Sequence, residues 1–367
     1  MKKVTLITIL FLLVASVACT NGGADAPQAT VEVTSPLETA TATPEIAAPT
    51  TEADPAEQPV AGSCPEATAD TYLLRVPQHG FCLLYPVSHK VERPNPQEVI
   101  LVVGGLLNAG DPRVMINVTP ASGRTVEDAV GEIVASFQGI GITQSETTVA
   151  GEPAVVLDDV PGQDINRRVI FAHDDQIYHL YFSPVDPENS APIDEFAQGI
   201  LDSFTFIPVS ETVTAADECI EPKADQQLIT SDEFGYCFLA PVDFTYEQSS
   251  DANANLFVGS MMDVEHPKLM IEVTDADGRT VAAAADELVA SFEGFDIPRT
   301  FGDTLGYQPA ERLDGVPGQD LGRVLMVVNG DRLFRLTFVP ADPDQANVYA
   351  QMEELFDLVL KSFRFLP

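Results

Sequence analysis

The stretch GRTVEDAVGEIVASFQG, from Gly123 to Gly139, is answered 155 residues later by GRTVAAAADELVASFEG, from Gly278 to Gly294. A chain that writes nearly the same segment twice is built from a duplicated unit, and the surrounding sequence keeps the same beat. Cys64 and Cys82 are 18 apart, as are Cys219 and Cys237. GFCLLYP (Gly80 to Pro86) answers GYCFLAP (Gly235 to Pro241), VPGQD recurs at Val160 and Val316, and SFTFIP at Ser203 answers SFRFLP at Ser362. The offset drifts only from 155 to 159, so insertions are few and small. Each copy is about 145–150 residues, longer than a solenoid repeat and long enough for its own core. The expected organisation is repeat 1 over 64–208, a linker over 209–218 and repeat 2 over 219–367.

Within each copy the patterns alternate between strand and helix. Thr125-x-x-Asp128 opens a helix as a capping box. Val126, Ala129, Val130, Ile133, Val134 and Phe137 then fall on one helical stripe, as do Val281, Ala284, Ala285, Leu288, Val289 and Phe292. Apolar strands precede both helices (VMINVT and LMIEVT), and Pro-Gly at VPGQD suits a type II turn with positive φ at Gly. A hairpin follows, turned by HDDQ in copy one and by Asn329-Gly330 in copy two. An amphipathic helix and a short strand close each copy. The fold class is therefore α+β: in each of two tandem domains, an antiparallel sheet flanked by helices.

The order of these elements resembles the PsbP-like fold. The resemblance rests on the GYCFLAP-type strand, the helix opened by GRT, the Leu-x-Arg-Leu hairpin and the closing helix that runs into Ser-Phe-x-Phe. That fold is shared by the photosystem oxygen-evolving subunit and by bacterial envelope lipoproteins of the LpqN and DcrB kind. The resemblance implies a binding or scaffolding role and carries no catalytic residue set. The paired cysteines depart from the photosystem members, so a photosynthetic role is not implied.

The first 63 residues read as address and tether. Lys2 and Lys3 precede an apolar run from Val4 to Val17, too short to span a bilayer comfortably and suited to a signal peptide over 1–18. Ser16-Val17-Ala18-Cys19 resembles a lipobox, with Ser16 where Leu is commonest; it also fits ordinary secretory cleavage, which makes plain secretion the alternative. Cys19 is the odd one of five cysteines, which favours lipid attachment there and a membrane anchor outside the cytoplasm. Residues 19–63, rich in Thr, Pro, Ala and Glu, cannot bury enough apolar surface to offset their ordering entropy and are expected to be a disordered tether. Its r.m.s. reach is roughly 35 Å or more.

The remaining four cysteines allow three pairings, and the repeat selects Cys64–Cys82 and Cys219–Cys237. An oxidising compartment preserves such bonds. Each closes a loop of about 17 residues and stabilises its domain by roughly 3 kcal/mol. A metal site at these cysteines lacks a His partner in both copies.

Charge narrows the partners. Against 56 Asp and Glu stand 19 Lys and Arg, a net charge of −37, which repels nucleic acid and anionic lipid headgroups. Nucleophile elbow, zinc-protease, Walker and Cys-x-x-Cys motifs are absent. VPGQD has one Gly and no Lys, so it reads as a turn rather than a phosphate cradle. Asp275-Ala-Asp-Gly lacks the twelfth-position Glu of a calcium loop. His173 falls in a hairpin turn and His179 on the polar strand face, as a surface residue. No cofactor, metal or catalytic residue is expected. The leading reading is a non-catalytic binding or scaffolding module for an unknown protein or small molecule. The alternatives are an envelope hydrolase whose acids, such as Asp158, Asp159, Asp174 and Asp175, assemble only in the fold, and a spacer without ligand.

Replacing Cys19 by Ser is expected to move the protein from the membrane fraction into a detergent-free soluble fraction. Unchanged partitioning, measured by fractionation and immunoblot, contradicts lipid attachment.

Overall fold

A computed structural model describes residues 62–105, 110–186, 188–263 and 265–367. Cys19, the expected signal peptide and nearly all of the expected tether lie outside the described residues.

The first repeat runs β1 (Thr71–Val76), β2 (Phe81–Pro86), β3 (Lys90–Asn95), β4 (Glu98–Val102), β5 (Arg113–Pro120), α1 (Val126–Ser136), β6 (Thr143–Val149), β7 (Glu152–Val160), β8 (Asn166–His173), β9 (Gln176–Ser183), α2 (Ala191–Ser203) and β10 (Thr205–Phe206). A four-residue helix, α3 (Ala215–Glu218), follows. The second repeat runs β11 (Gln226–Ser231), β12 (Tyr236–Pro241), β13 (Thr245–Ser250), β14 (Asn253–Phe257), β15 (Lys268–Asp275), α4 (Val281–Ala290), β16 (Arg299–Leu305), β17 (Gln308–Val316), β18 (Gly322–Asn329), β19 (Arg332–Val339), α5 (Ala346–Ser362) and β20 (Arg364–Phe365).

Each repeat pairs a seven-stranded antiparallel sheet with a three-stranded one. The orders are β3-β4-β5-β9-β8-β7-β6 with β1-β2-β10, and β13-β14-β15-β19-β18-β17-β16 with β11-β12-β20. The α+β architecture expected from the sequence, helices flanking an antiparallel sheet in each of two domains, is the one observed.

Both faces of the large sheet are covered, and the sequence says by what. On β5 the period-two alternation turns Val114, Ile116 and Val118 inward, against Leu83 and Tyr85 of the small sheet and Ile193 and Ile200 of α2. On the other face α1 lays Val130, with Val126, Ala129, Ile133 and Phe137, over Leu157, Ile170 and Ile177. The equivalent stripe of α4 covers Leu313, Val324 and Met326. Helix α1 begins with a full capping box: Asp128 N donates to Thr125 Oγ1 (3.2 Å) and Thr125 N to Asp128 Oδ2 (2.9 Å). Thr280 makes only half of it, accepting from Ala283 N, since alanine stands where the carboxylate would be.

The Ser-Phe-x-Phe ending has a physical role in both copies. Ser203 Oγ accepts from Leu84 N (3.0 Å) and Ser362 Oγ from Leu239 N (2.9 Å), pinning the closing helix to the small sheet. Phe204 stacks on Phe81 at 5.0 Å, and Phe363 on Phe238 at 6.0 Å.

The VPGQD turn departs from the expectation. Gly162 is not the left-handed residue. Asp159 (φ 61°) and its counterpart Gly315 (φ 67°) are, each at a bulge where β7 or β17 slips register against the next strand. Gly162 is required by space instead: a Cβ there would meet the Tyr181 hydroxyl at 2.7 Å and Asn166 Nδ2 at 3.0 Å.

The segment over 209–218 and the residues after it carry groups that reach the first repeat. Asp217 and Glu218 of α3 bind Arg75 (3.2 Å) and Arg93 (3.0 Å) of the first repeat. Beyond the linker, Lys223 Nζ donates to the Thr71 carbonyl (2.7 Å) and lies 4.5 Å from the Tyr72 ring centroid. The two large sheets meet through their edge strands, β3 and β16. Lys90 and Glu92, two residues apart on β3 and so on one face, pair at 2.6 Å with side chains only 3% exposed. Thr304 of β16 completes them, accepting from Lys90 Nζ at 3.0 Å and donating to Glu92. Nearby, Tyr307 lies between the guanidinium groups of Arg93 (5.0 Å) and Arg364 (4.8 Å). Arg364 is 2% exposed and donates to the carbonyls of Lys361 and Phe363. Tyr307 reaches this position from a left-handed backbone (φ 69°), which a bulky side chain adopts at a cost. Gly306 before it has φ 55°, and a Cβ there would strike Phe365 at 2.6 Å.

Breaking the buried pair is expected to expose its weight. Lys90→Met leaves the Glu92 carboxylate buried and unpaired and should cost roughly 3–5 kcal/mol in denaturant unfolding. Lys90→Met with Glu92→Leu should recover most of that loss. If the double variant is no better than the single, the pair is not what holds this junction.

Candidate binding site

The small sheet and the closing helix of repeat 1 diverge at one end and leave an open, mainly apolar groove of about 510 Å³. Leu84, Phe196 and Ile200 form its floor, Pro86, Pro112 and Pro192 its walls, and Asp70 and Glu195 stand at the rim. His89 fixes one side. Its ring stacks on Phe196 with centroids 4.6 Å apart and planes 8° from parallel. Nε2 donates to the Pro112 carbonyl (2.9 Å) and Nδ1 accepts from the Ser88 hydroxyl (3.0 Å), which sets the neutral tautomer. Burial, opposed by the Pro112 hydrogen bond, holds its pKa below the usual histidine value.

Repeat 2 has the same groove in altered form, about 320 Å³. Asp225, Pro241, Pro267 and Glu354 stand where Asp70, Pro86, Pro112 and Glu195 stand in the first. Phe244 replaces His89, Leu355 replaces Phe196, and Leu358 replaces Gly199. Leu358 turns toward the first repeat and packs against its core. A larger space of about 1000 Å³ lies between residues 62–69 and 221–225, with walls of loops that mix polar and apolar groups.

The residues singled out in the sequence lie elsewhere. Cys64–Cys82 and Cys219–Cys237 are bonded as the repeat spacing requires, so those thiols hold structure and no metal. Among the described residues no cluster of His, Cys, Asp and Glu is arranged to hold a metal ion. Asp158 binds Arg167 (2.6 Å) and Asp159 occupies the bulge, whereas Asp174 and Asp175 (φ 46° and 61°) form the hairpin turn at the far end of β8. The four therefore do not converge. Asp194 and Glu353 have lowered pKa values. For Asp194 the Ser190 hydrogen bond leads, ahead of Arg167; for Glu353 burial is outweighed by Arg323 and Tyr349. The Asp275–Gly278 stretch is the turn before α4, its Asp275 carbonyl taken by Arg279 (2.9 Å). His173 stacks on Phe206 at 3.7 Å and meets Glu152 at 2.9 Å.

His179 is not the surface residue its strand phase suggested. It is half-buried on the outer sheet face beside α1, and its Nε2 is sealed from water without a partner. Burial first, then the Arg168 charge, push its pKa down to about 4. The groove went unseen in the sequence because its lining comes from four separated segments. The one available signal was internal: Asp, Pro, Pro and Glu recur at equivalent rim and wall positions in both copies while the floor changes.

The depressed His179 sets a pH dependence. Below pH ~6.5 the unfolded chain takes up a proton that the folded chain refuses until about pH 4. Stability contributed by neutral His179 is thus present at neutral pH and lost on acidification, by about 1.4 kcal/mol per pH unit at most. Urea midpoints measured from pH 7 to 4.5 should fall more steeply in the wild type than in His179→Phe. Parallel profiles contradict the buried, neutral imidazole.

No family model matches the sequence. No curated protein matches it either. Among solved structures the chain is similar to the solution structure of cyanobacterial PsbP (CyanoP) from Synechocystis sp. PCC 6803. That similarity has 15% identity and a TM-score of 0.29 and covers 40% of this chain and 98% of that one.

Proposed function

We propose that the chain is a non-catalytic binding module of the bacterial cell envelope, a lipoprotein tethered at Cys19, which holds its ligand in the groove of the first repeat. Kinship with envelope lipoproteins of the LpqN and DcrB kind, with the PsbP-like fold in two tandem copies, is part of the same proposal. One observation carries the reading: the groove is open in repeat 1 and reduced in repeat 2, where Leu358 replaces Gly199. A duplicated concavity kept larger in one copy than in the other is what a dedicated site looks like. Its occupant is an apolar segment bearing a basic group. The floor is apolar, and the rim acids Asp70 and Glu195 match Asp225 and Glu354 in the other copy.

Gly199→Leu copies the second repeat into the first. A Cβ at Gly199 meets nothing within 4 Å, so the variant should fold. Octylammonium, followed by methyl shifts of Leu84 and Ile200, is expected to bind the full chain saturably. Octanoate should bind at least tenfold more weakly, and Gly199→Leu should weaken octylammonium at least tenfold with an unchanged melting temperature. Equal binding by the variant, or a preference for octanoate, overturns the reading.

A further inference from the structure

The outer face of the first large sheet carries polar groups that the fold does not satisfy. Arg168 on β8 lies diagonally from His179 on β9, since Arg168 pairs with Tyr181 and Ile170 with His179. Asn117 on β5 is directly opposite His179. All three side chains share one face. The Arg168 guanidinium lies 5.1 Å from the Tyr181 ring and 5.8 Å from the Phe137 ring, and its Nε donates to Asn166 Oδ1 at 3.0 Å. Among the described residues it is the one arginine that meets neither a carboxylate nor a backbone carbonyl. In a chain with 56 acids, an arginine left without one is informative. His179 lies beside it, with its Nε2 buried out of reach of water and without a partner. The neighbouring acid, Glu98 opposite Asn117, is taken by Asn95 at 2.7 Å.

The second repeat shows what is missing. Glu272 stands at the Asn117 position and Arg335 at the His179 position, and the two form an ion pair. Val324 replaces Arg168. Copy two thus supplies its own carboxylate to the basic group on this face. In copy one the acid sits one strand further out, Glu98 opposite Asn117 where copy two has Asn253 opposite Glu272, and Arg168 has no carboxylate partner.

We propose that the Arg168–His179–Asn117 face binds the carboxylate of an external ligand, in the place that Glu272 fills in the other copy. Arg168 contributes the charge, held rigid between two rings so that little side-chain entropy is lost on binding. Asn117 adds a neutral donor on the same face, and His179 reports the added charge from beneath it. The site lies on the opposite face of the sheet from the groove and does not depend on it.

The test is an acetate titration of the full chain, read by the Arg168 Nε–Hε resonance and the His179 ring, with chloride at matched ionic strength. Inorganic phosphate is the second arm. Acetate is expected to shift both signals saturably and to raise the pH at which His179 titrates. Arg168→Met should weaken binding at least tenfold. Asn117→Glu, which installs the copy-two carboxylate, should abolish acetate binding while leaving the protein folded and no less heat-stable. The proposal is overturned by shifts no larger than with chloride, or by undiminished binding to Asn117→Glu. It also fails if phosphate is preferred by tenfold or more, which would make the site one for phosphate.

Discussion

A lysine, a glutamate and a threonine at the meeting of two sheet edges make one body of two repeats. Edge strands present unpaired backbone and are ordinarily shielded from neighbours. Here β3 and β16 touch through side chains, the Lys90–Glu92 pair of β3 with Thr304 of β16 closing its remaining hydrogen bonds. Taking two charges out of water is expensive, and a buried pair is a poor source of net stability. The pair lies wholly within β3, so what the second repeat adds is Thr304, whose hydroxyl takes up hydrogen bonds that the two buried charges leave open. Tyr307 between two arginines, and the α3 carboxylates on Arg75 and Arg93, extend the same logic along the junction.

The junction uses one edge of each large sheet. The first repeat retains a free β6 edge equivalent to β16, and the second a free β13 edge equivalent to β3. Two of the junction groups recur on these edges, Glu247 for Glu92 and Thr148 for Thr304, whereas three do not. Thr245 stands for Lys90, Gly151 for Tyr307 and Thr205 for Arg364. Differences between the copies include the junction, the groove, and the outer face where Asn117, His179 and Arg168 oppose Glu272, Arg335 and Val324.

What was legible in the sequence follows from locality. The helical stripes, the Thr125 capping box, the hairpins and the disulfide pairing depend on neighbours within a few residues or on the repeat itself, and each is present. Ser-Phe-x-Phe was visible as a motif, although its role, a serine hydroxyl receiving a strand N–H more than a hundred residues away, was not. The VPGQD turn was misplaced because Pro-Gly suggests a left-handed glycine. The bulge at Asp159 supplies the bend, and Gly162 answers to the Tyr181 hydroxyl. His179 was read as exposed because strand alternation distinguishes two faces without telling what covers each. The linker looked inert because Asp217 and Glu218 acquire partners only when Arg75 and Arg93 are brought beside them.

If the two repeats are one cooperative body, the edge strands at the junction must be protected like core strands. Native-state hydrogen exchange measures this directly. Amides of β3 and β16 that are hydrogen-bonded within their sheets should exchange only through global unfolding, while equivalent amides on the free edges β6 and β13 exchange by local fraying. Equal, fast exchange on all four edges would contradict a junction that binds the repeats into one unit.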